Sequence, residues 1–371
     1  MKDVLFISSR LEKNKENISS YRNLINLKEI FSQVDTYLIN KKSDLEKAIN
    51  IIFLNRLENS SIKAEKDILK LIKKNKYSYV FLDNSGFGYL VEKIKINFPN
   101  TKILVYCHDI NYHLFNSLYE EYKKNIEGIY DILKLFILKK EIYNAKKNEI
   151  KTFKNADKVI TINSRDTQKL KEIYKLNENE ELGITFEKYK GKDNNFKNQK
   201  FKLLFIGAAS LKSNVTGIKF FIEEVLKELD CELIILGRGM EKNKKIFEKN
   251  SSKVRVIGEV TDLDKYYINC DAVVVPIFSG GGMKGKTGEA LSYGKTIFGT
   301  TEAFQGYELD FEKVGGLCNS KEEFVEKISL YIEKWKNNEV KNENKYSKNI
   351  FNKYYTYEVS KKKLKEIFKG V

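Results

Sequence analysis

Short apolar runs alternate with longer stretches of helical periodicity along the whole chain. In the first half, Val4–Ser8, Val34–Ile39, Tyr79–Asp83, Ile103–Cys107 and Lys158–Ile162 read as strands, with helical patterns between them, for example 61–75 and 117–155. The second half repeats the series. Its strands are Lys202–Ile206, Glu232–Leu236, Lys253–Ile257, Ala272–Val275 and Thr296–Phe298, with helices near 214–228, 262–269, 286–293 and 321–336. The strand runs are continuously apolar, as strands buried on both faces must be, and helical crossovers between such strands give parallel sheets. The pattern therefore predicts an α/β fold of two tandem Rossmann-like, doubly wound parallel-sheet domains.

The polar segment 177–200, rich in Asn, Lys and Glu, separates the two series. Predicted boundaries are an N-terminal domain at 1–182, a linker at 183–200, a C-terminal domain at 201–345 and a closing helical segment at 346–371. Tandem architecture suggests that the closing segment crosses back to the first domain. In open parallel sheets ligands lie beyond the carboxyl ends of the strands, so two such domains are expected to face a cleft.

Composition narrows the partners. The net charge is +16, and residues 1–200 hold 38 Lys and Arg against 27 Asp and Glu. Such a balance raises nucleic acid or an anionic membrane. No RRM-like aromatic motif, zinc finger or helix-turn-helix signature occurs, so nucleic acid is not expected. Abundant Lys, Asn, Ile, Tyr and Phe with two Pro and one Trp fit an AT-rich genome, which accounts for part of the charge. Cys107, Cys231, Cys270 and Cys318 are scattered without CxxC or Cys/His spacing, so neither zinc nor a disulfide framework is predicted, and a reduced cytoplasmic setting fits. No uncharged apolar run approaches the ~18 residues of a membrane span, and the N-terminus reads as a first strand rather than a signal peptide.

The richest chemistry lies in Gly280–Thr287, a loop between the apolar strand Asp271–Val275 and a short helix. Strand, glycine loop and helix start aim backbone N–H groups at phosphate. Gly280, Gly285, Lys286 and Thr287 satisfy the Walker A pattern. The context of a P-loop NTPase is missing. The motif sits late in the chain, its helix is short, and no hhhhD strand follows. Tyr79–Asp83 has that form but belongs to the other half.

A second reading uses more residues. LLFIGAASLKSN (203–214), ELIILGRGM (232–240), VRVIGEVTDLDKYYINCDAVVVP (254–276) and GGGMKGKTGEALSYGKTIFGTTEAFQG (280–306) follow one another in the order and spacing of a nucleotide-sugar-binding domain. Residues 203–310 resemble the C-terminal domain of GT-B glycosyltransferases, in particular glycosyltransferase family 4 (glycosyl transferases group 1). The first half is less similar. YCHDINYH (106–113) and NADKVITINSRDTQKLKEIY (155–174) match, but the turn after the first strand lacks the family's glycines.

The resemblance implies a bacterial enzyme of polysaccharide biosynthesis. It would move a sugar from a UDP- or GDP-type nucleotide sugar to a glycan or lipid-linked acceptor, with retention and without a metal or resident cofactor. A diphosphate leaving group must then be met by N–H groups, a helix N-terminus and cations. Gly282, Met283, Lys284, Lys286, Thr287 and Lys212 are the expected diphosphate contacts. Glu289, read as lying in the first turn of its helix, matches the family's ribose-binding glutamate. Arg238 and Val260 lie in loops expected at the base. The opening glutamate of the family's Glu-x7-Glu motif would fall at Gly281 and is absent.

His108 and Asp109 end an apolar strand where the cleft is expected, and are the candidate catalytic pair, through sugar hydrogen bonding or proton transfer. His113 is a weaker candidate. Residues 126–154 form a long basic stretch that is nearly apolar over Ile129–Leu138. It reads either as a helix buried on one side with a solvated lysine face, or as a peripheral contact with anionic lipid at the inner face of the plasma membrane. Two other functions stay open at this point: a catalytically silent GT-B scaffold that binds a partner, and a P-loop NTPase.

Overall fold

A computed structural model describes residues 3–9, 18–40, 42–58, 60–123, 126, 128–189, 191, 199–249 and 252–371. The glycine-free first turn (10–17) and part of the expected linker (190 and 192–198) lie outside the described residues. The chain divides into two compact units. The first comprises Met1–Gly183 with Ser360–Val371, and the second comprises Ile184–Val359.

The first unit holds a six-stranded parallel sheet: β1 (Val4–Ser8), β2 (Val34–Leu38), β3 (Tyr79–Leu82), β4 (Lys102–Cys107), β5 (Lys158–Thr161) and β6 (Glu180–Glu181). Their order is β2-β1-β3-β4-β5-β6, so the direction of winding reverses between β1 and β3. Alternate residues feed opposite faces. Leu5, Ile7, Val80, Leu82, Ile103 and Val105 pack on one side. Val4, Phe6, Phe81, Leu104 and Tyr106 pack on the other, where Leu364, Ile367 and Phe368 of the closing helix Tyr357–Lys369 complete the core. Asn26 Nδ2 donates to Ser360 Oγ (2.7 Å) and fixes the start of that covering segment.

The single helical pattern expected over 117–155 is two helices, Asn111–Lys123 and Ile129–Asn155. Gly128 interrupts it. A glycine is a poor helix interior residue, and here it is extended, with the Asp131 side chain accepting from its N–H (3.2 Å).

The second unit has β7 (Lys202–Ile206), β8 (Glu232–Leu236), β9 (Val254–Gly258), β10 (Ala272–Val275), β11 (Thr296–Gly299) and β12 (Gly315–Leu317). All pairs are parallel, in the order β12-β11-β10-β7-β8-β9. Here winding reverses between β7 and β10, which places the crevice for a ligand at their carboxyl ends. The helix Lys212–Phe220 packs beside that crevice and continues into a wider π-helical turn, Phe221–Val225. Its Gly217 lets the backbone after β10 pass close by, since a Cβ there would lie 2.0 Å from the Pro276 carbonyl oxygen. Gly217→Ala is therefore expected to destabilise the protein by about 1–3 kcal/mol, the usual range for overpacking a site that cannot yield. A urea midpoint unchanged from wild type would contradict this close approach.

Candidate functional site

The loop after β10 contains Gly280 at φ 142° and Gly282 at φ 60°, backbone conformations that favour glycine. They turn the chain into the helix Gly285–Ser292, for which Lys284 is the N-cap residue. The N–H groups of Gly282 and Met283 engage no hydrogen-bond acceptor among the described residues. The side chain of Met283 is buried, and its sulfur accepts from Ile184 N–H (3.4 Å). The Tyr307 hydroxyl braces the helix start, donating to Lys284 O (2.9 Å) and accepting from Gly288 N–H (3.1 Å).

The two lysines of this loop differ. Lys284 Nζ donates to Glu302 Oε1 (2.6 Å) and Gly281 O (2.9 Å), so its charge is already matched. Lys286 has a neutral partner. Its Nζ donates to Asn214 Oδ1 (2.6 Å) and lies 4.6 Å from the Phe205 ring centroid. Asn214 is itself fixed by donating to Ala208 O (2.9 Å). Burial pushes the Lys286 ammonium down to about 7; Glu289 opposes the shift and the Lys284 charge adds to it.

Glu289 lies one position beyond the first turn, correcting its expected place at the helix start. The helix dipole therefore does not explain it. Instead the Tyr267 hydroxyl donates to Glu289 Oε2 (3.1 Å), and Tyr267 stacks on Tyr293 with ring centroids 4.3 Å apart. Burial raises the Glu289 carboxyl above its ordinary range, against the pull of Tyr267 and Lys286.

Thr287 is also corrected. It is fully buried, its hydroxyl donates to Ala303 O (2.8 Å) and its N–H to Lys284 O (3.0 Å), so both groups serve the interior. Lys212 and Arg238 are exposed, at the start of the helix Lys212–Phe220 and in the turn after β8. Val260 is half-buried in the loop after β9. The structure thus gathers Lys284, Lys286 and Glu289 near the β7–β10 reversal, while Lys212 and Arg238 are exposed.

In the first unit His108 is buried, which corrects the expectation of a side chain open to substrate. Its Nε2 lies 2.9 Å from Asp83 Oδ1 and 3.3 Å from Ser20 Oγ. Asp83 also accepts from Ser8 Oγ (2.8 Å) and Asn23 Nδ2 (3.2 Å). Burial pushes its carboxyl up, but His108, Ser20 and Ser8 outweigh that and hold it below the ordinary range. Arg22, fully buried, donates to Asn23 Oδ1 (2.6 Å), Gly183 O (2.6 Å) and the Tyr106 hydroxyl (3.0 Å). Asp109 is half-buried, and its carbonyl accepts from Ser85 Oγ (3.5 Å). A cavity of about 210 Å³ opens beside this network, lined among others by Asn84, Phe87, Tyr89, Asn111 and Asn148.

Sequence reasoning missed Asn214, Tyr267, Glu302, Asp83 and Arg22. Asn214 and Tyr267 stood inside the quoted motifs, in ASLKSN and DKYYIN. Asp83 was noticed only as the end of an apparent hhhhD strand. Among the described residues, no group of three or more His, Cys, Asp or Glu side chains is arranged to hold a metal.

Residues 200–334 match the family model of Glycosyl transferases group 1. The chain is a glycosyltransferase. Its fold is GT-B. It is similar along its full length to sucrose-phosphate synthase from Thermosynechococcus elongatus, at 12% identity and TM-score 0.70 over 99% of that chain. Similarity also extends to Anabaena HepE in complex with UDP and glucose, at 10% identity and TM-score 0.68 with both chains fully covered. The lipopolysaccharide outer core galactosyltransferase WaaB matches at 12% identity and TM-score 0.63, again over all of both chains. No curated protein matches by sequence.

The depressed Lys286 gives a stability signature in this glycosyltransferase. In the unfolded chain the ammonium keeps its proton up to about 10.5, whereas in the fold it loses it near 7. Between these values the unfolded state holds the extra proton, so this group's contribution to stability rises with pH through the window. The slope is at most ~1.4 kcal/mol per pH unit. Lys286→Met should remove that rise. Comparing urea midpoints of the two proteins at pH 7.5 and 9.5 checks it, and equal slopes would contradict a dehydrated Lys286.

Proposed function

We propose that the protein transfers a sugar from a nucleoside diphosphate sugar, of UDP or GDP type, to a glycan or lipid-linked acceptor, with retention and without a metal or resident cofactor. The observation that carries the donor half is Lys286. Its ammonium is partly dehydrated, repelled by Lys284 and partnered by a neutral amide. An anionic oxygen is the group that best completes it. The turn through Gly280 and Gly282 and the following helix N-terminus add N–H groups and a positive dipole end for a second phosphate. As charge builds on the departing diphosphate, a fixed cation and fixed N–H groups favour the transition state over the ground state. Glu289, held by Tyr267, is the ribose contact, accepting from a hydroxyl. Lys212 as a further diphosphate contact, and Arg238 and Val260 at the base, rank below Lys286 and Glu289 because the first two are exposed and Val260 is half-buried.

His108 enters as a positioning residue, since its ring is held in the Asp83 network. The neighbouring cavity, with its amides and aromatic rings, suits a hydroxylated acceptor ring. The complex of HepE with UDP makes UDP the first probe.

Calorimetric titration tests this reading. UDP should bind in EDTA, and Glu289→Ala should weaken it by roughly 10- to 100-fold, the worth of a hydrogen bond to a charged group. Binding confined to Mg-ATP would overturn the proposal in favour of a P-loop NTPase. Absence of any nucleotide binding would favour a silent scaffold.

The same titration has a pH signature. Because a diphosphate needs the protonated ammonium, binding above pH 7 must take up a proton. Affinity should fall as pH rises from 7, by up to about tenfold per unit. Lys286→Met should bind weakly with no such slope, and a wild-type affinity flat from pH 7 to 9 would remove Lys286 from the diphosphate site.

A further inference from the structure

We propose that the helix Ile129–Asn155 docks the first unit on an anionic lipid surface, with its first three turns entering the bilayer interface and its lysines holding the headgroups. The proposal does not rest on the donor chemistry.

The helix has two unlike halves. From Leu138 onward it is an ordinary packed helix, burying Leu138, Ala145, Asn148, Thr152 and Phe153. Before Leu138 no side chain is fully buried, and Leu135 is the one apolar residue there that is half-buried. Ile129, Tyr130, Ile132, Leu133, Phe136 and Ile137 are 36–79% exposed. Four of them, Ile129, Ile132, Leu133 and Phe136, follow the i, i+3, i+4, i+7 spacing that places side chains on one face. The reading of this stretch as a helix buried along one side thus holds fully for its second half, whereas in the first half that side is only half-covered, at Leu135, and the apolar face beside it is open. A soluble protein rarely leaves so dense an apolar patch to water without a partner.

Charge indicates what that partner is. The helix carries seven lysines against three acids, and two of the acids, Glu141 and Glu149, are buried. Lys140, Lys147 and Lys154 recur every seven residues, which continues the line of the apolar face. At 1.5 Å per residue Lys140 lies only ~6 Å along the axis from Phe136, within the depth over which interfacial helices embed their apolar faces. Apolar side chains at the tip with lysines behind them match acyl chains below phosphate headgroups. A second copy of this +16 chain would bring lysines against lysines.

The test is sedimentation with vesicles of 70% phosphatidylcholine and 30% phosphatidylglycerol at 0.15 M salt. The protein should pellet with these and at least tenfold less with pure phosphatidylcholine. Ile132→Asp with Phe136→Asp should cost tenfold or more while leaving thermal unfolding intact. Leu330→Asp, an equally exposed apolar site on the second unit, should change nothing. Lys140→Gln and Lys147→Gln should each lower the partition about fivefold. With one native Trp, buried at 335, Phe136→Trp reports insertion directly through a blue shift and quenching by brominated acyl chains. Vesicle binding unaffected by Ile132→Asp/Phe136→Asp would overturn the proposal. So would a wild-type dimer, seen by sedimentation velocity, that this variant dissociates and that ignores vesicles.

Discussion

A parallel sheet covered on both faces leaves no room for charge inside its central strands, and charge along the strands of this protein is confined to strand ends and edge strands, as at Asp35 of β2 and Arg255 of β9. Every residue of β1 and of β10 is buried. Charged and polar side chains can gather only where strands end, and the widest opening is where the winding reverses. In the first unit that place holds Ser8, Asp83 and His108, and in the second it holds Asn214, Lys286 and Glu289. What a charge there can do depends on whether the protein itself pairs it.

The two units answer differently. Desolvating an ion costs several kcal/mol unless partners and hydrogen bonds restore the loss. Around Asp83 the restoration is internal, because two hydroxyls or amides and the His108 ring reach its carboxylate. Arg22 spends its donors on Asn23, Gly183 and Tyr106, tying the helix Ile18–Ile30 to β4 and to the segment after β6. Such a network is complete and serves position. Around Lys286 the restoration is partial, since an amide oxygen and a ring face stabilise an ammonium less than a carboxylate does. Lys284 shows the contrast from two residues away, where Glu302 closes an ion pair. The incomplete site is the one whose ammonium lacks a closed ion pair.

The sheets were legible because burial on both faces writes itself as continuous apolar runs. β1, β7, β8 and β10 carry the bounds the pattern assigned, and the short β6 and β12 escaped because two or three residues make no run. The helical expectation over 117–155 failed at Gly128, since periodicity alone does not register one extended residue. Of the site, the loop and its lysines were readable from glycine spacing. Which lysine is closed in an ion pair was not, because Glu302 is distant in sequence and approaches only through the turn after β11. Glu289 and Thr287 show the same limit. A motif supplies residue types, but a shift of one helical position decides whether a side chain meets the ligand or the core.

Exposure separates meanings that composition merges. The +16 charge is spread through the chain, and surface charge of either sign contributes little to stability. The helix Ile129–Asn155 departs from that background because its lysines accompany uncovered apolar side chains. Covering such side chains inside the fold would contribute roughly 25 cal/mol per Å² buried, and the fold forgoes most of that contribution over about the first two and a half turns while collecting it over about the next five. Packing therefore accounts for residues 138–155 and only for one side of 129–137, although both belong to one continuous helix. A segment that leaves most of its apolar surface outside its own fold leaves that surface for a partner, and the charge beside it limits which surface fits.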